Sequence, residues 1–205
     1  MKKIIFTLLL ICCTLNAAAQ YDTIKLNFKG TKPTISDFAT ALVSRSPGDE
    51  DFEISESLNA FASDWKRQKA GKRLDGNTTI VVDEKNGYLC YESRYDTHLL
   101  RIEMCFWNES DQKHKLFSYN ITCFDNNKYS PGQFDGINFY RYDNATRKMT
   151  FTHNVGNEFP FCSEDGSEIS YALPRIGKDI TATTWHKKGK KQKSIRWTGK
   201  GFSDR

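Results

Sequence analysis

The sequence predicts an α+β fold, with two N-terminal helices followed by a curved antiparallel β-meander and a helix packed on one face of the sheet. Three observations predict it. Apolar residues recur at helical spacing in the first third of the chain, and from Thr78 onward they alternate with polar ones. Turn dipeptides such as Asn86-Gly87 separate the alternating runs. Helices grouped ahead of a run of strands are typical of α+β domains.

Residues 1–19 are typical of an export signal. Two lysines precede an apolar run that ends in Ala17-Ala18-Ala19, which is the basic, apolar and small-residue order of a secretory signal. The run is too short for a membrane span. The residue before the first cysteine is not small, so we favour simple cleavage before Gln20 over a lipoprotein. The chain is therefore predicted to be periplasmic or extracellular, with residues 20–205 forming one domain.

The charge of the mature chain gives little support to a nucleic-acid partner. The full chain has a formal net charge of +5, and loss of Lys2 and Lys3 lowers it to 5 − 2 = +3. A mildly basic net charge does not by itself indicate nucleic-acid binding. Export from the cytoplasm is a further argument against a nucleic-acid partner. The predicted partner is protein or glycan, with no nucleic acid, no cofactor and no stable membrane insertion.

The first predicted elements are a strand and a short helix. The stretch "YDTIKLNF" alternates Ile24, Leu26 and Phe28 with polar residues, which is the pattern of a strand. Gly30 and Pro33 then break it. The stretch "TISDFATALVSRSPGD" follows as a helix with Ser36 as its N-cap.

The second predicted helix has one apolar face. Ile54, Leu58, Phe61 and Trp65 recur at helical steps along the chain, which places them on one side of a helix. Acidic residues precede the run and basic residues follow it, as the helix dipole favours. Gly71 is a natural C-terminal cap. We interpret the stripe as core packing against a sheet rather than a ligand site.

The strongest hairpin signal is Asn86-Gly87, within "TTIVVDEKNGYLCYES". If these two residues form the centre of the turn, Val82 faces Tyr91 and Ile80 faces Ser93. The sequence therefore predicts a tight first hairpin.

The next strands carry two different faces. Pairing Phe106 with Phe117 brings two apolar rows together. One face of the first strand is predicted to be core, and it carries Leu100, Ile102, Met104 and Phe106. The other face carries Leu99, Arg101, Glu103, Cys105 and Trp107. A further hairpin is predicted around Asp143-Asn144, and three short strands in the final third complete the meander.

Four cysteines follow the signal: Cys90, Cys105, Cys123 and Cys162. An even count in an exported protein permits disulfides, and the absence of a C-x-x-C pair weakens a zinc or redox interpretation. A tight turn at Thr97-His98 would place Cys90 opposite Cys105, whereas a looser turn would separate them. We favour a Cys90–Cys105 disulfide, with free buried thiols as the alternative.

The sequence contains no catalytic or metal-binding motif. Nucleophile-elbow, phosphate-loop and dinucleotide patterns are absent from the mature chain. The four histidines lack ligand spacing: His98, His114, His153 and His186. Glu92, Arg101 and Glu103 share one sheet face, where cross-strand charge pairing on a half-exposed sheet accounts for them without catalysis.

The candidate binding residues lie near the C terminus, in "WHKKGKKQKSIRW". They are Trp185, Lys187, Lys188, Lys190, Lys191, Arg196 and Trp197. One interpretation is docking of an acidic glycan or a phosphate-bearing surface on the cationic cluster. The other is a lysine-rich hairpin that keeps a sheet edge soluble and unpaired.

Four stretches together resemble small exported proteins of unknown function from Gram-negative anaerobes: "AAAQ", "SLNAFASDW", "VDEKNGYLCYE" and "YALPRIGKDI". The plan of helices followed by a meander is also similar to the β-lactamase-inhibitor-protein type of α+β domain. These resemblances imply a fold and no activity, because fold does not determine function.

Three functions are consistent with the sequence. The leading hypothesis is a non-enzymatic binding module that uses exposed aromatic residues of the sheet or loops. Its aromatic candidates are Tyr88, Tyr91, Trp107, Tyr119, Tyr140 and Tyr142. The second hypothesis is a hydrolase in which Glu92 and Glu103 converge with His98 or His153 in a sheet pocket. The third is a structural factor of the cell envelope.

Overall fold

The computed structural model describes residues 23–44, 56–132 and 135–204. The predicted signal peptide and Ile54 of the predicted second helix lie outside these residues. The helices are α1 (Ile35–Val43) and α2 (Glu56–Lys69). The strands are β1 (Thr23–Lys25), β2 (Thr78–Asp83), β3 (Tyr88–Tyr95), β4 (His98–Asn108), β5 (His114–Asp125), β6 (Lys128–Tyr129), β7 (Gly136–Asp143), β8 (Lys148–Phe151), β9 (Glu168–Ala172), β10 (Ile180–His186), β11 (Gly189–Trp197) and β12 (Phe202–Asp204).

Antiparallel strands dominate the described residues, which confirms a sheet-rich α+β structure. The first sheet has eight strands in the order β1-β8-β7-β5-β4-β3-β2, with β6 paired to the end of β5. The sequence predicted that the last strands would continue this meander, but they do not. They form a second, four-stranded sheet in the order β12-β11-β10-β9.

The register of the β4–β5 pair is the predicted one, since Phe106 lies opposite Phe117. The predicted register of the first hairpin is wrong. Val82 lies opposite Leu89, not Tyr91. The cause is the turn, which spans four residues between Asp83 and Tyr88 instead of two.

The side chain of Asp83 explains the wider turn. Its Oδ1 accepts the backbone N–H of Asn86 at 3.2 Å, and its Oδ2 accepts the side-chain amide of Asn86 at 2.9 Å. Gly87 then takes the positive φ of +64° that closes the turn. The shift in register places Ile80 opposite Tyr91.

Both helices pack on one face of the first sheet and form the first core. The ring of Phe38 in α1 stacks on Phe117 at 5.0 Å between centroids and meets the edge of Tyr142 at 5.2 Å. From α2, the ring of Phe61 packs against Tyr91 at 5.4 Å. The buried members of this core include Leu58, Phe61, Trp65, Ile102, Met104, Phe117 and Ile121.

The opposite face of the first sheet is covered over most of its area by the second sheet, so the expectation of a half-exposed face holds only around Glu92 and Arg101. This second core includes Cys105, Trp107, Leu116, Phe139, Ile169, Tyr171, Ile195, Trp197 and Phe202. The indole of Trp107 stacks on Trp197 at 5.7 Å and meets the edge of Phe202 at 5.1 Å.

Burial on both faces removes the aromatic surface that the leading hypothesis required. All six of its aromatic candidates are buried: Tyr88, Tyr91, Trp107, Tyr119, Tyr140 and Tyr142. A sheet buried on both sides loses the alternation of exposed and buried positions that makes one face available to a partner. Any binding surface must therefore lie at loops, hairpin tips or strand edges.

Polar side chains of the first sheet hold the second sheet in place. The Nδ2 of Asn120 donates to the backbone oxygen of Tyr171 at 2.7 Å, and the Nε1 of Trp107 donates to the backbone oxygen of Lys178 at 2.8 Å. Because Tyr171 lies in β9, at the edge of the second sheet, Asn120 satisfies a backbone group that no described strand pairs with on that side.

Candidate functional site

The predicted basic cluster forms the end of the β10–β11 hairpin, which we name the basic hairpin (Trp185–Arg196). His186 lies opposite Gly189, with Lys187 and Lys188 between them as a two-residue turn. Near the other end of the hairpin, Ile180 and Ile195 pair within the second core. The hairpin tip extends beyond that core, so its lysines are exposed on both faces.

Most cations of the basic hairpin lack a carboxylate partner. Lys193 pairs with Asp204, with an Nζ–Oδ1 distance of 3.1 Å. Among the described residues, no ion pair involves the remaining cations Lys187, Lys188, Lys190, Lys191 and Arg196. All five are exposed. These cations without ion pairs attract anions to the hairpin, and the nearest register partner with a carboxylate is Glu168, opposite Trp185 in β9.

Trp185, one pair from the turn of the basic hairpin, belongs to an aromatic cluster that we name the aromatic platform (Phe124, Tyr129 and Trp185). The half-buried indole of Trp185 stacks on Tyr129 at 6.1 Å and meets the edge of Phe124 at 6.1 Å. Its Nε1 donates to the Oγ of Ser170 at 2.8 Å, which fixes the ring. The ammonium of Lys190 lies 5.3 Å from the centre of the indole.

Phe124 and Tyr129 were not predicted as site residues from the sequence. They flank a tight turn at Asn126-Asn127, where β6 folds back on the end of β5. The two consecutive asparagines, which readily adopt positive φ, were the available signal for that turn. Nothing in the sequence indicates that this small hairpin meets Trp185, because the contact joins two different sheets.

Trp197 does not belong to the candidate surface, which corrects the sequence prediction. Only 8% of its surface is exposed, and its ring stacks on Trp107 in the second core. Its backbone N–H donates to Oδ1 of Asp179 at 3.1 Å. Trp185 pairs with Lys190, so its side chain lies on the same face of the second sheet as the even-numbered residues of β11. Trp197 is an odd-numbered residue of β11 and therefore lies on the opposite face.

The predicted Cys90–Cys105 pair is also corrected. The β3–β4 turn is tight, but it lies one residue earlier than required, so Cys90 pairs with Glu103 and Cys105 pairs with Tyr88. The four cysteines of the described residues are free thiols. Burial raises the pKa of Cys90 to about 11 and holds that of Cys105 well above its ordinary value. Both are therefore protonated and unreactive at neutral pH.

Glu103 is a buried carboxyl at the contact between the two sheets. Only 6% of its surface is exposed. The hydroxyl of Tyr88 donates to its Oε1 at 2.8 Å, and the backbone N–H of Leu173 donates to its Oε2 at 3.2 Å. Burial raises the pKa of the carboxyl, although these donors and the charge of Arg101 oppose the rise. Glu103 therefore connects the sheets rather than facing a cleft.

We expect Glu103→Gln to weaken the pH dependence of folding stability. A carboxyl whose pKa is raised by folding favours the folded state below its unfolded pKa of about 4.5. That contribution is lost as pH rises through the folded pKa. Urea unfolding between about pH 4 and pH 8 should show a decline in the free energy of unfolding that is steeper for the wild type than for the variant. Equal pH dependence in the two proteins would contradict the assignment.

The acids and histidines of the hydrolase hypothesis have other neighbours. Glu92 forms an ion pair with Arg101, at 2.7 Å between Oε1 and the guanidinium, as cross-strand pairing predicted. His98 lies 3.5 Å from a carboxylate oxygen of Asp125. The ring of His153 packs against Phe151 at 4.6 Å between centroids. Within the described ranges, no hydrogen bond or ion pair joins either histidine to Glu92 or Glu103.

One cluster of possible metal ligands was missed by the sequence analysis. Glu109, Asp111 and His114, spaced E-x-D-x-x-H in the β4–β5 turn, place one ligand atom each within 4.8 Å of one another. Each group already has a protein partner. Arg141 donates its Nε–H to Glu109 at 2.7 Å, and Asp111 accepts the backbone N–H groups of Lys113 and His114. These contacts account for the cluster as a turn and an ion pair.

Within the described segments, neither helix combines the length and the apolar character needed to cross a bilayer. No match to this chain was found among protein-family models, curated proteins or solved structures.

Proposed function

We propose that this chain is an exported binding protein without enzymatic activity, whose basic hairpin holds an acidic glycan. The observation that carries the proposal is a set of exposed cations close to the half-buried Trp185 that form no ion pair with the described residues. They are Lys187, Lys188, Lys190 and Lys191. Clustered like charges on a protein surface repel one another and favour a polyanion that relieves the repulsion. Export, as the N-terminal sequence predicts, would place the surface among extracellular or periplasmic polysaccharides.

The aromatic platform favours a glycan over a simple anion. A sugar ring that packs on the indole of Trp185 would displace water from an apolar face. Its carboxylate would then lie near the ammonium of Lys190, which is 5.3 Å from the centre of the indole. Stacking and charge neutralisation would act on the same sugar residue, as expected of a site for uronic acids.

The competing explanation is protection of a strand edge. β12 pairs with β11 only over Ile195–Trp197, so among the described residues the stretch from Gly189 to Ser194 has no strand on its outer side. Lysines on such an edge discourage pairing with other chains. The two explanations differ in outcome, because one predicts lost glycan binding on removal of the charges and the other predicts only self-association.

Neutralising the lysines at the hairpin tip should weaken binding to polygalacturonate. The variant should weaken binding by at least about tenfold at about 0.05 M NaCl. It changes four lysines to glutamine: Lys187, Lys188, Lys190 and Lys191. Wild-type binding should itself weaken on raising the salt to about 0.5 M, and neutral dextran should not bind. Isothermal titration calorimetry on the mature chain measures each affinity.

A matched variant separates local charge from net charge. It changes four exposed lysines outside the basic hairpin to glutamine: Lys66, Lys72, Lys85 and Lys113. It loses the same total charge and should retain binding within about twofold, because distant charges are screened. Equal losses in both variants, or no loss in the hairpin variant, would overturn the proposal. Self-association of the hairpin variant with unchanged affinity would establish edge protection instead.

A further inference from the structure

A second candidate site lies at the start of β7. It is a half-open cavity of about 400 Å³ between β7 and the segment 152–161. Four phenylalanines line it: Phe139, Phe151, Phe159 and Phe161. We name it the phenylalanine cavity. Its size is in the range of pockets that take a small ligand or one or two large side chains.

The walls of the phenylalanine cavity differ in how they are held. Phe159 packs against Phe139 at 4.9 Å and against Tyr171 at 5.2 Å between ring centroids, which ties the inner wall to the second core. Phe161 forms the outer wall, and 62% of its surface is exposed. Its ring lies over Gly136, where an added Cβ would come within 2.3 Å of the ring. A large apolar side chain is thus left facing solvent beside a strand.

That strand has an unpaired edge at the cavity. β7 pairs with β8 only over Tyr140–Asp143. One more hydrogen bond extends this pairing by a residue: the backbone N–H of Thr152 donates to the backbone oxygen of Phe139 at 3.0 Å. Residues two apart in a strand direct their backbone groups to the same side. The N–H and C=O of Ile137 therefore point to the same side as the carbonyl of Phe139. No described strand pairs with Ile137 on that side.

We propose that an extended peptide adds as a strand to the free edge at Ile137 and inserts an apolar side chain into the phenylalanine cavity. Main-chain hydrogen bonds to an open edge provide affinity in this binding mode, and pockets for alternate side chains provide specificity. A lipid would fill the aromatic walls but leave the backbone of Ile137 unpaired. An extended peptide would both pair with the backbone of Ile137 and fill the cavity with a side chain. The edge and the cavity together therefore favour a peptide as the ligand. The site is separate from the basic hairpin and does not depend on it.

Selection from a random seven-residue peptide library on the immobilised mature chain tests the proposal. We expect the wild type to enrich peptides with a large apolar residue at one fixed position, and Phe161→Ala to lose this enrichment. Because Phe161 is largely exposed, its substitution should leave the melting temperature nearly unchanged. Ile176→Ala, at a side chain that is 84% exposed elsewhere, is the matched control and should enrich the same peptides as the wild type.

N-methylation of an enriched peptide tests the strand geometry on the unaltered protein. Methyl groups on the amides that face β7 should weaken binding by at least about tenfold, whereas methyl groups on the intervening amides should change it by less than about twofold. The losses should alternate along the peptide, since strand hydrogen bonds alternate in direction. The proposal would be overturned if the wild type enriched no peptides beyond those that Phe161→Ala enriches. It would also be overturned if the loss of affinity did not alternate along the N-methylated peptide.

Discussion

Trp107→Ala should lower the free energy of unfolding by about 3–5 kcal/mol. Trp107 is almost fully buried where the two sheets meet, and its ring contacts both Trp197 and Phe202. Truncation would leave a cavity there. It would also remove the hydrogen bond from the indole N–H to the backbone oxygen of Lys178, and that loss adds to the cost. Urea unfolding followed by circular dichroism measures the loss.

Trp185→Ala is the matched control for this prediction. Trp185 is also a tryptophan with a hydrogen-bonded indole, but it is only half-buried, near the turn of the basic hairpin. We expect a loss of less than about half that of Trp107→Ala, because less apolar surface leaves the folded state. Equal losses for the two variants would show that the contact between the sheets contributes no more than the hairpin surface.

Phe38→Ala should have an effect of similar size, about 3–5 kcal/mol, through the other core. Phe38 is fully buried in α1 and contacts three rings of the first sheet: Phe106, Phe117 and Tyr142. It is the main aromatic contact through which α1 meets the sheet. Its removal should therefore loosen α1 as well as create a cavity, and urea unfolding should give a lower midpoint.

Phe161→Ala provides the comparison for Phe38, since the same atoms are removed from an exposed position. We expect a change within about 0.5 kcal/mol. The fluorescence of Trp65, which lies in the first core against Phe61, should change in the Phe38 variant and not in the Phe161 variant. A Phe38→Ala protein with wild-type stability would contradict the packing described for α1.

Local signals predicted much of the first sheet. The alternation of apolar residues placed Ile102 and Phe117 in a core, and the β4–β5 register followed from matching two apolar rows. The first hairpin was predicted to have a two-residue turn because Asn86-Gly87 favours one. The side chain of Asp83, which binds Asn86, selected a longer turn and shifted the register. A side-chain contact of this kind competes with the dipeptide preference and is not visible in it.

The second sheet escaped prediction because buried polar residues resemble exposed ones in a sequence. The second face of β5 carries Ser118, Asn120 and Thr122, which indicated a solvated surface, yet all three are buried. Asn120 is buried because it binds the backbone of β9. The basic hairpin was predicted directly, since a run of lysines around a turn is a local feature. The phenylalanine cavity was not, because its walls come from β7, β8 and a loop.

Burial of the first sheet on both faces has a consequence for the exchange of backbone amide hydrogens. β5 is paired to β4 on one side and β7 on the other, and every residue from Lys115 to Thr122 is buried. Amides there can reach deuterium only when the whole fold opens, so their protection measures global stability. Amides of the basic hairpin tip and of Ile137 at the free edge need only local opening. Deuterium should therefore enter the edges first and the centre of β5 last.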